Sequence, residues 1–333
     1  MNDTYLGILD CHDPLYEVLL TKVCPHVRDP QFHVNRMPSS GVYKYTEEKS
    51  RTAIIGKFFR LDDTQYDRVT RIKGEYDNLH ILREYGFSTA PNYVVRPITR
   101  ELSIGLALVA EFIRGRDLDY YIQSAIYRGD CSALKDRLSI LAAFLYTLHS
   151  RTRTGNDMDP DHLRAYFEKV LGKLYVQKVV SKAERVEYMR VMEIWLSRSR
   201  FRKIRNVIIH GDATPTNFIF TEHGDVAAID LERMKISDMV YDIGMVCGEL
   251  KHAFLCRTGN PDGSEMYIRH FIKKYAGHDK NRERAFVKIT RRTPFYMAMT
   301  ELRIARNEYL DWDYRKRLAF EALECLRWGL RLE

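Results

Sequence analysis

One short stretch limits this chain more than any other. The apolar, β-type runs Val207-Ile208-Ile209 and Phe218-Ile219-Phe220 bracket a polar loop, His210-Gly211-Asp212-Ala213-Thr214-Pro215-Thr216-Asn217. A further apolar run, Val226–Ile229, ends on Asp230-Leu231-Glu232. Runs of this kind on both sides of a loop hold its polar side chains rigidly, and the next run delivers a carboxylate at its end. The set comprises a loop carboxylate (Asp212), a neutral amide (Asn217) and a strand-end carboxylate (Asp230). It suits phosphoryl transfer from a magnesium nucleotide, which needs positioning and charge neutralisation more than covalent chemistry. Asp212 is then the candidate to take the proton of an acceptor hydroxyl. Asp230 and Asn217 are candidate ligands of magnesium, which prefers hard oxygen donors.

The pattern H-G-D-x-x-x-x-N followed by D-x-E resembles the catalytic core of the aminoglycoside phosphotransferase and choline kinase family, relatives of the protein kinases. The matching residues are His210, Gly211, Asp212, Asn217, Asp230 and Glu232. Protein kinases carry H-R-D and D-F-G at these places, so Gly211 and Asp230-Leu231-Glu232 point to the small-molecule branch. The resemblance implies an α+β, two-lobed protein-kinase-like fold, with a small strand-rich N-lobe and a larger, mostly helical C-lobe. It also implies ATP and Mg2+ as co-substrate and metal, with Asp212 as catalytic residue and Asn217, Asp230 and Glu232 at the metal. A small-molecule hydroxyl compound is the implied acceptor.

The resemblance extends outward. Lys57, in Ile54-Ile55-Gly56-Lys57-Phe58-Phe59, looks like the strand lysine that holds the α- and β-phosphates. Glu75, on a helix with Leu79 and Leu82, resembles its ion-pair partner, and Glu84 is a weaker rival. The turn Met37–Gly41 stands where the family covers the phosphates: Ser39, Ser40 and the backbone of Gly41 can donate to a phosphate, and a plain hairpin turn explains the same residues equally well. Leu108–Gly115 resembles the connector between lobes, with backbone near Glu111 and Ile113 meeting the nucleotide base. Backbone recognition leaves no side-chain signature, so ATP and GTP both stay open. Asp238 and Asp242 match the family's acidic segment and are read as capping and loop-bracing residues, and His210 as a buried orienting residue.

The remaining elements follow from local pattern. Strands are expected at Gln31–Arg36, Val42–Thr46, Thr52–Arg60, Tyr93–Ile98 and Ile104–Phe112. A helix is expected over Asp67 to Tyr85, with Gly86 at its end. Asp13-Pro14 and Asp159-Pro160 read as helix starts, and Ser181-Lys182-Ala183-Glu184 as a capping box. Leu134, Leu138, Leu141, Leu145 and Leu148 make one apolar helical stripe ending at His149. The first third is strand-rich and the rest helix-rich, which places the boundary between residues 112 and 113. An N-terminal nucleotide-binding lobe, 1–112, thus begins with a helical extension, 1–30. A helical lobe, 113–333, carries the catalytic loop and the acceptor site.

Composition narrows the partners. The 53 basic and 45 acidic residues leave a formal charge of +8. From Arg257 to Glu333 there are 17 Lys and Arg against 11 Asp and Glu, a local excess of +6. A basic balance favours anionic partners and argues against a polycationic aminoglycoside as acceptor. A sugar, an amino alcohol or an anionic metabolite remain as acceptor classes. Glu249 and His252, three apart on the helix after Asp242, share a face and are candidate acceptor contacts. Arg257 and the basic residues beyond are a candidate anion-binding rim.

Two alternatives stand beside the small-molecule kinase. One is an atypical protein kinase, against which stands the lack of an A-P-E-like element. The other is a nucleic-acid-binding protein on an inactive kinase-like scaffold, against which stand the filled catalytic positions. No Walker A loop is present. The six cysteines are scattered without a C-x-x-C pair, which argues for reduced thiols in a cytoplasmic protein. No apolar run reaches the length of a membrane span.

Overall fold

The computed structural model describes residues 3–60, 66–155, 159–198, 201 and 204–332. The chain forms two compact units, one of Met1–Gly115 with Thr221–Met234, the other of Arg116–Phe220 with Lys235–Glu333. A single division after residue 112 therefore misses a short return segment. Its Val226–Ala228 strand pairs in parallel with Asn92–Val94, more than a hundred residues earlier, a partnership that local pattern does not reveal.

The first unit is strand-rich. Its elements are β1 (Thr4–Ile8), α1 (Pro14–Lys22), β2 (Phe32–Arg36), β3 (Val42–Glu47), β4 (Ala53–Phe58) and α2 (Tyr66–Glu84). The short β5 (Ser88–Thr89) and β6 (Asn92–Val94) follow, then β7 (Pro97–Glu101) and β8 (Leu106–Glu111). A six-stranded sheet runs β1-β2-β3-β4-β8-β7, each neighbouring pair antiparallel. The first thirty residues are thus a strand as well as a helix: β1 adds an edge to the sheet. Asp13 caps α1 by accepting from the Leu15 N–H, with Pro14 in the first turn.

Helix α1 seals one sheet face, where Leu15 and Leu19 meet Phe32, Tyr45, Ile54 and Val109. Alternate residues of a strand face opposite ways. Ile54 and Phe58 belong to the α1 side, so Lys57 turns to the other face, where Glu75 of α2 receives it. Helix α2 is anchored by Leu79 and Leu82, both fully buried.

The second unit is mostly helical: α3 (Leu118–Arg128), α4 (Cys131–Arg151), α5 (Pro160–Val176), α6 (Lys182–Ser197), α7 (Val240–Thr258), α8 (Glu265–Ala276), α9 (Arg282–Thr290), α10 (Thr293–Ala305) and α11 (Trp312–Gly329). The leucine stripe of α4 is fully buried. Asp159 caps α5, and Ser181 and Glu184 form the capping box of α6. Phe167, Trp195, Phe201 and Phe295 form an aromatic core with ring centroids 5.1–6.1 Å apart. All six cysteines are free thiols. No described helix is long and apolar enough to cross a membrane.

Helices α7 and α10 cross at glycines. A Cβ on Gly244 would lie 2.3 Å from the Cβ of Tyr296, and one on Gly248 would lie 2.8 Å from the Cβ of Thr300. Only residues without a side chain let the two backbones come this close. Gly244→Ala is expected to force the helices apart and to cost about 1–3 kcal/mol, the usual range for overpacking. A thermal melt indistinguishable from wild type would show that the crossing is more compliant than this contact implies.

A buried carboxylate sets a pH dependence in the same bundle. Glu301 on α10 is fully buried, and its nearest cation is Lys251 of α7 at 3.5 Å, which also meets Glu321 of α11 at 3.2 Å. Burial pushes the Glu301 carboxyl up to about 7, with Lys251 pulling it back. A carboxyl raised on folding binds its proton more tightly in the folded state. Its stabilising contribution is complete below the unfolded value and is lost as pH rises to about 7. Glu301→Gln is expected to melt higher than wild type above pH 7, by an amount on the order of 1–3 kcal/mol, with the gap closing towards pH 4. Melting curves recorded from pH 4 to 8 check the sign; a gap that widens on acidification contradicts it.

Candidate functional site

Each unit contains its own constellation of polar groups. In the first, the Lys57 ammonium donates to both carboxylate oxygens of Glu75, at 2.9 and 2.7 Å, and to Oδ1 of Asp230 at 3.0 Å. Glu75 is almost wholly buried, and Asp230 is about one third exposed. Burial alone would lower the lysine; Glu75 and Asp230 outweigh it and hold the ammonium above its ordinary value. Burial pushes the Glu75 carboxyl up, while Lys57 draws it down. Sequence alternation in β4 and helical spacing in α2 bring this pair together, as the strand-and-helix reading expects. Glu84, the alternative partner, lies at the last residue of α2.

Asp230 follows the Val226–Ala228 strand with φ +61° and ψ +59°. A non-glycine residue in this left-handed region is uncommon, and asparagine and aspartate tolerate it best. The bend opens a short 3-10 turn, Leu231–Arg233. Asn78 of α2 donates from Nδ2 to the Leu231 carbonyl at 2.8 Å. Glu75 and Asn78, three apart on one helix face, therefore hold the lysine and the Asp230 turn from one side. Burial first, then the negative charge of Asp230, raise the Glu232 carboxyl.

The turn Met37–Gly41 is a tight hairpin between β2 and β3. The Met37 N–H donates to the Val42 carbonyl at 2.9 Å, and Gly41 adopts φ +73°. A Cβ on Gly41 would stand 2.6 Å from the Phe58 carbonyl oxygen, so glycine is required by conformation and by contact alike. Ser39 and Ser40 are exposed at its tip. Glu111 accepts from the Tyr93 hydroxyl and from the Arg96 N–H. The Glu111 N–H donates to the Arg96 carbonyl at 3.1 Å, so it is already engaged, and the half-buried Ile113 follows in the chain.

In the second unit, the polar loop joins the Val207–Ile209 strand, paired with Lys235–Ser237, to the Phe218–Phe220 strand, paired with Arg116–Asp117. The loop is pinned from three sides. Asp242, fully buried in the first turn of α7, accepts from the His210 N–H at 2.8 Å and the Gly211 N–H at 3.0 Å. His149 of α4 braces Asp242 at 3.1 Å and meets the Tyr275 hydroxyl at 2.8 Å. Burial would raise Asp242, but His149, His210 and the Gly211 N–H hold it below its ordinary value. The Asn217 amide nitrogen donates to the Asp212 carbonyl at 2.9 Å. The Asp212 N–H donates to the buried His210 ring at 3.3 Å. Asp238 accepts from the Val240 N–H and the Tyr296 hydroxyl and pairs with Arg292.

Arg303 of α10 places a guanidinium nitrogen 2.9 Å from Oδ1 of Asp212 and 3.8 Å from Glu249 of α7. Burial pushes the Glu249 carboxyl up to about 7, against the pull of Arg303. Arg303 also lines a small cavity with Tyr166, Tyr241, Met245 and Met299. His252, the other acceptor candidate on α7, faces Tyr314 of α11, whose hydroxyl lies 2.8 Å from Nδ1. Burial and Arg257 push His252 down to about 4. Arg257 does not offer an open rim: both oxygens of Asp119 hold it, at 2.7 and 2.9 Å. Sequence reading passes over Asn78, His149 and Arg303. Only His149 carries a signal, a histidine at the end of an apolar stripe.

Residues 39–285 match the profile of the phosphotransferase enzyme family. No curated protein sequence matches the chain significantly. Among solved structures, the ethanolamine kinase of Plasmodium vivax superposes with a TM-score of 0.63 at 13% identity, covering 92% of this chain and 86% of that one. The choline kinase LicA of Streptococcus pneumoniae gives 0.57 at 16% identity, covering 93% and 98%. An amicoumacin kinase solved with AMP-PNP, Ca2+ and its ligand gives 0.57 at 18% identity, covering 95% and 94%. At such identities the structures establish a shared kinase-like fold, and the profile match spans most of the 333 residues. The chain belongs to the phosphotransferase enzyme family.

Proposed function

We propose that this protein is an ATP- and magnesium-dependent kinase that phosphorylates a hydroxyl group of a small molecule. The observation that carries the reading is the Lys57 ammonium gripped by Glu75 and Asp230 at 2.7 and 3.0 Å. Two carboxylates fix a cation where it serves a ligand rather than the hydrophobic core, and nucleotide phosphates are the anions it suits.

The donor set fits magnesium. Asp230 and Glu232 stand two residues apart, and the charge of one raises the carboxyl of the other, a repulsion that a divalent cation relieves. Asn217 has its amide nitrogen tied to the Asp212 carbonyl, so its amide oxygen is the atom for a ligand. Asp230, Glu232 and Asn217 would hold the ion, which when bound neutralises phosphate charge. Lys57 aligns the α- and β-phosphates, with Ser39, Ser40 and the Gly41 backbone covering them and the connector meeting the base through backbone near Ile113, since the Glu111 N–H already donates to the Arg96 carbonyl. Asp212 takes the proton of the acceptor hydroxyl as its oxygen bonds to the γ-phosphorus. The bond from that phosphorus to the bridging oxygen breaks, and its electron pair leaves with ADP.

The direct test is a screen of hydroxyl compounds with ATP and magnesium, each product identified by mass. Magnesium-independent turnover, or transfer to protein alone, would refute the reading. The same assay checks Asn78. Asn78→Ala removes the donor that steadies the Asp230 turn, a contact worth about 1 kcal/mol. Turnover is expected to fall roughly five- to ten-fold with little change in melting temperature. Unchanged turnover would show that the turn holds Asp230 by itself.

A further inference from the structure

The phosphotransferase reading leaves the chemical class of the acceptor open, and the cavity beside Asp212 bears on it. Its lining comprises the rings of Tyr166, Tyr241 and Tyr296, the thioethers of Met245 and Met299, Thr300 and the guanidinium of Arg303. Among the described residues that line it there is no carboxylate. The Lys235 ammonium stacks on the Tyr241 ring, 4.3 Å from its centroid, and adds a second cation beside the same tyrosine. Arg303 is only 13% exposed, so its charge is felt in a medium that screens weakly. Its planar fork has five N–H donors and matches a carboxylate or a phosphate with two parallel bonds.

We propose, resting on the phosphotransferase reading, that Arg303 recognises the acceptor and that the acceptor is a hydroxyl compound carrying an anionic group, a carboxylate or a phosphate ester. Two observations support it. The guanidinium stands 2.9 Å from the proposed base, Asp212, so an anion bound by its fork sits next to the hydroxyl that Asp212 deprotonates. An acceptor anion that draws the guanidinium towards itself also frees the Asp212 carboxylate for that proton. Glu249, the other carboxylate near it, stands farther off at 3.8 Å, and burial raises its carboxyl against the pull of Arg303.

The test separates this proposal from the reading beneath it. Magnesium-dependent ATP hydrolysis by the wild-type protein without acceptor reports on phosphotransfer as such. A cell extract of small metabolites is split by ion exchange into cationic, neutral and anionic fractions, and each is incubated with the protein, magnesium and γ-labelled ATP. Label is expected in the anionic fraction, at least ten-fold weaker with Arg303→Gln, and partly retained with Arg303→Lys, which keeps the charge. Prior treatment of the fraction with alkaline phosphatase distinguishes the sources: surviving label marks a carboxylate acceptor, vanished label a phosphate ester, and either supports the proposal. Label in the cationic or neutral fraction alone overturns it. So does basal turnover without label in the anionic fraction, or anionic label undiminished in Arg303→Gln. If Arg303→Gln does not fold, the wild-type fractions and the Arg303→Lys variant decide. Absence of both basal turnover and label overturns the phosphotransferase reading itself.

Discussion

Replacing Asp212 by asparagine is expected to slow phosphoryl transfer by about 10²–10⁴-fold, the usual contribution of a positioned general base. The substitution keeps the shape of the side chain. The loop should also keep its place, because it is held by contacts that do not involve the carboxylate: the His210 and Gly211 N–H groups on Asp242, and the Asn217 amide on the Asp212 carbonyl. What is lost is the capacity to take a proton, together with the charge facing Arg303. The fall should therefore appear in kcat, with nucleotide affinity little changed. Single-turnover measurements on a folded Asp212→Asn protein decide the matter: transfer within three-fold of wild type removes Asp212 from the role of base.

The second large effect is expected at Asp230. Asp230→Asn retains the left-handed bend, which asparagine also tolerates, but gives up the anionic charge that pairs with Lys57 and that we propose holds the ion. Turnover should drop by about 10³-fold or more, comparable with removing a principal electrostatic stabiliser from other active sites. Magnesium should also cease to strengthen nucleotide binding. Calorimetry of ADP binding with and without magnesium reads the latter directly, and an unaltered magnesium effect would reassign the metal to other residues. Alanine is the poorer probe, because at φ +61° it adds backbone strain to the loss of charge.

How much of this was legible in the sequence depends on the distance over which each feature acts. The His210–Asn217 loop is legible because its bracketing strands are adjacent in the chain, and the Lys57–Glu75 pair because strand alternation and helix periodicity set both side chains locally. Strand β1 is not: Thr-Tyr-Leu-Gly-Ile becomes a strand by pairing with β2, across a register shift between Tyr5 and Gly7, and residues on its own side of the chain do not foretell that partner. Asn78 and Arg303 escape for the same reason. Asn78 meets a carbonyl 153 residues away, and Arg303 of α10 meets a loop carboxylate, Asp212, far earlier in the chain. Arg257 shows the converse error: a cation counted as available in composition is already spent on Asp119.

The return segment has a consequence for how the protein is born. The first unit takes back Thr221–Met234 only after the chain has passed through about half of the second. The sheet can form early, from residues all within the first 111, whereas Asp230 reaches Lys57 after a further 119 residues have been made. At ribosomal speeds of about 5–20 residues per second that delay is roughly 6–24 s. During that interval Lys57 has Glu75 as its only carboxylate of the pair, so a nascent chain carries a lysine-bearing sheet without its strand-end aspartate. A translational pause placed between the codons for residues 115 and 234 would lengthen this incomplete state, and one placed after 234 would not.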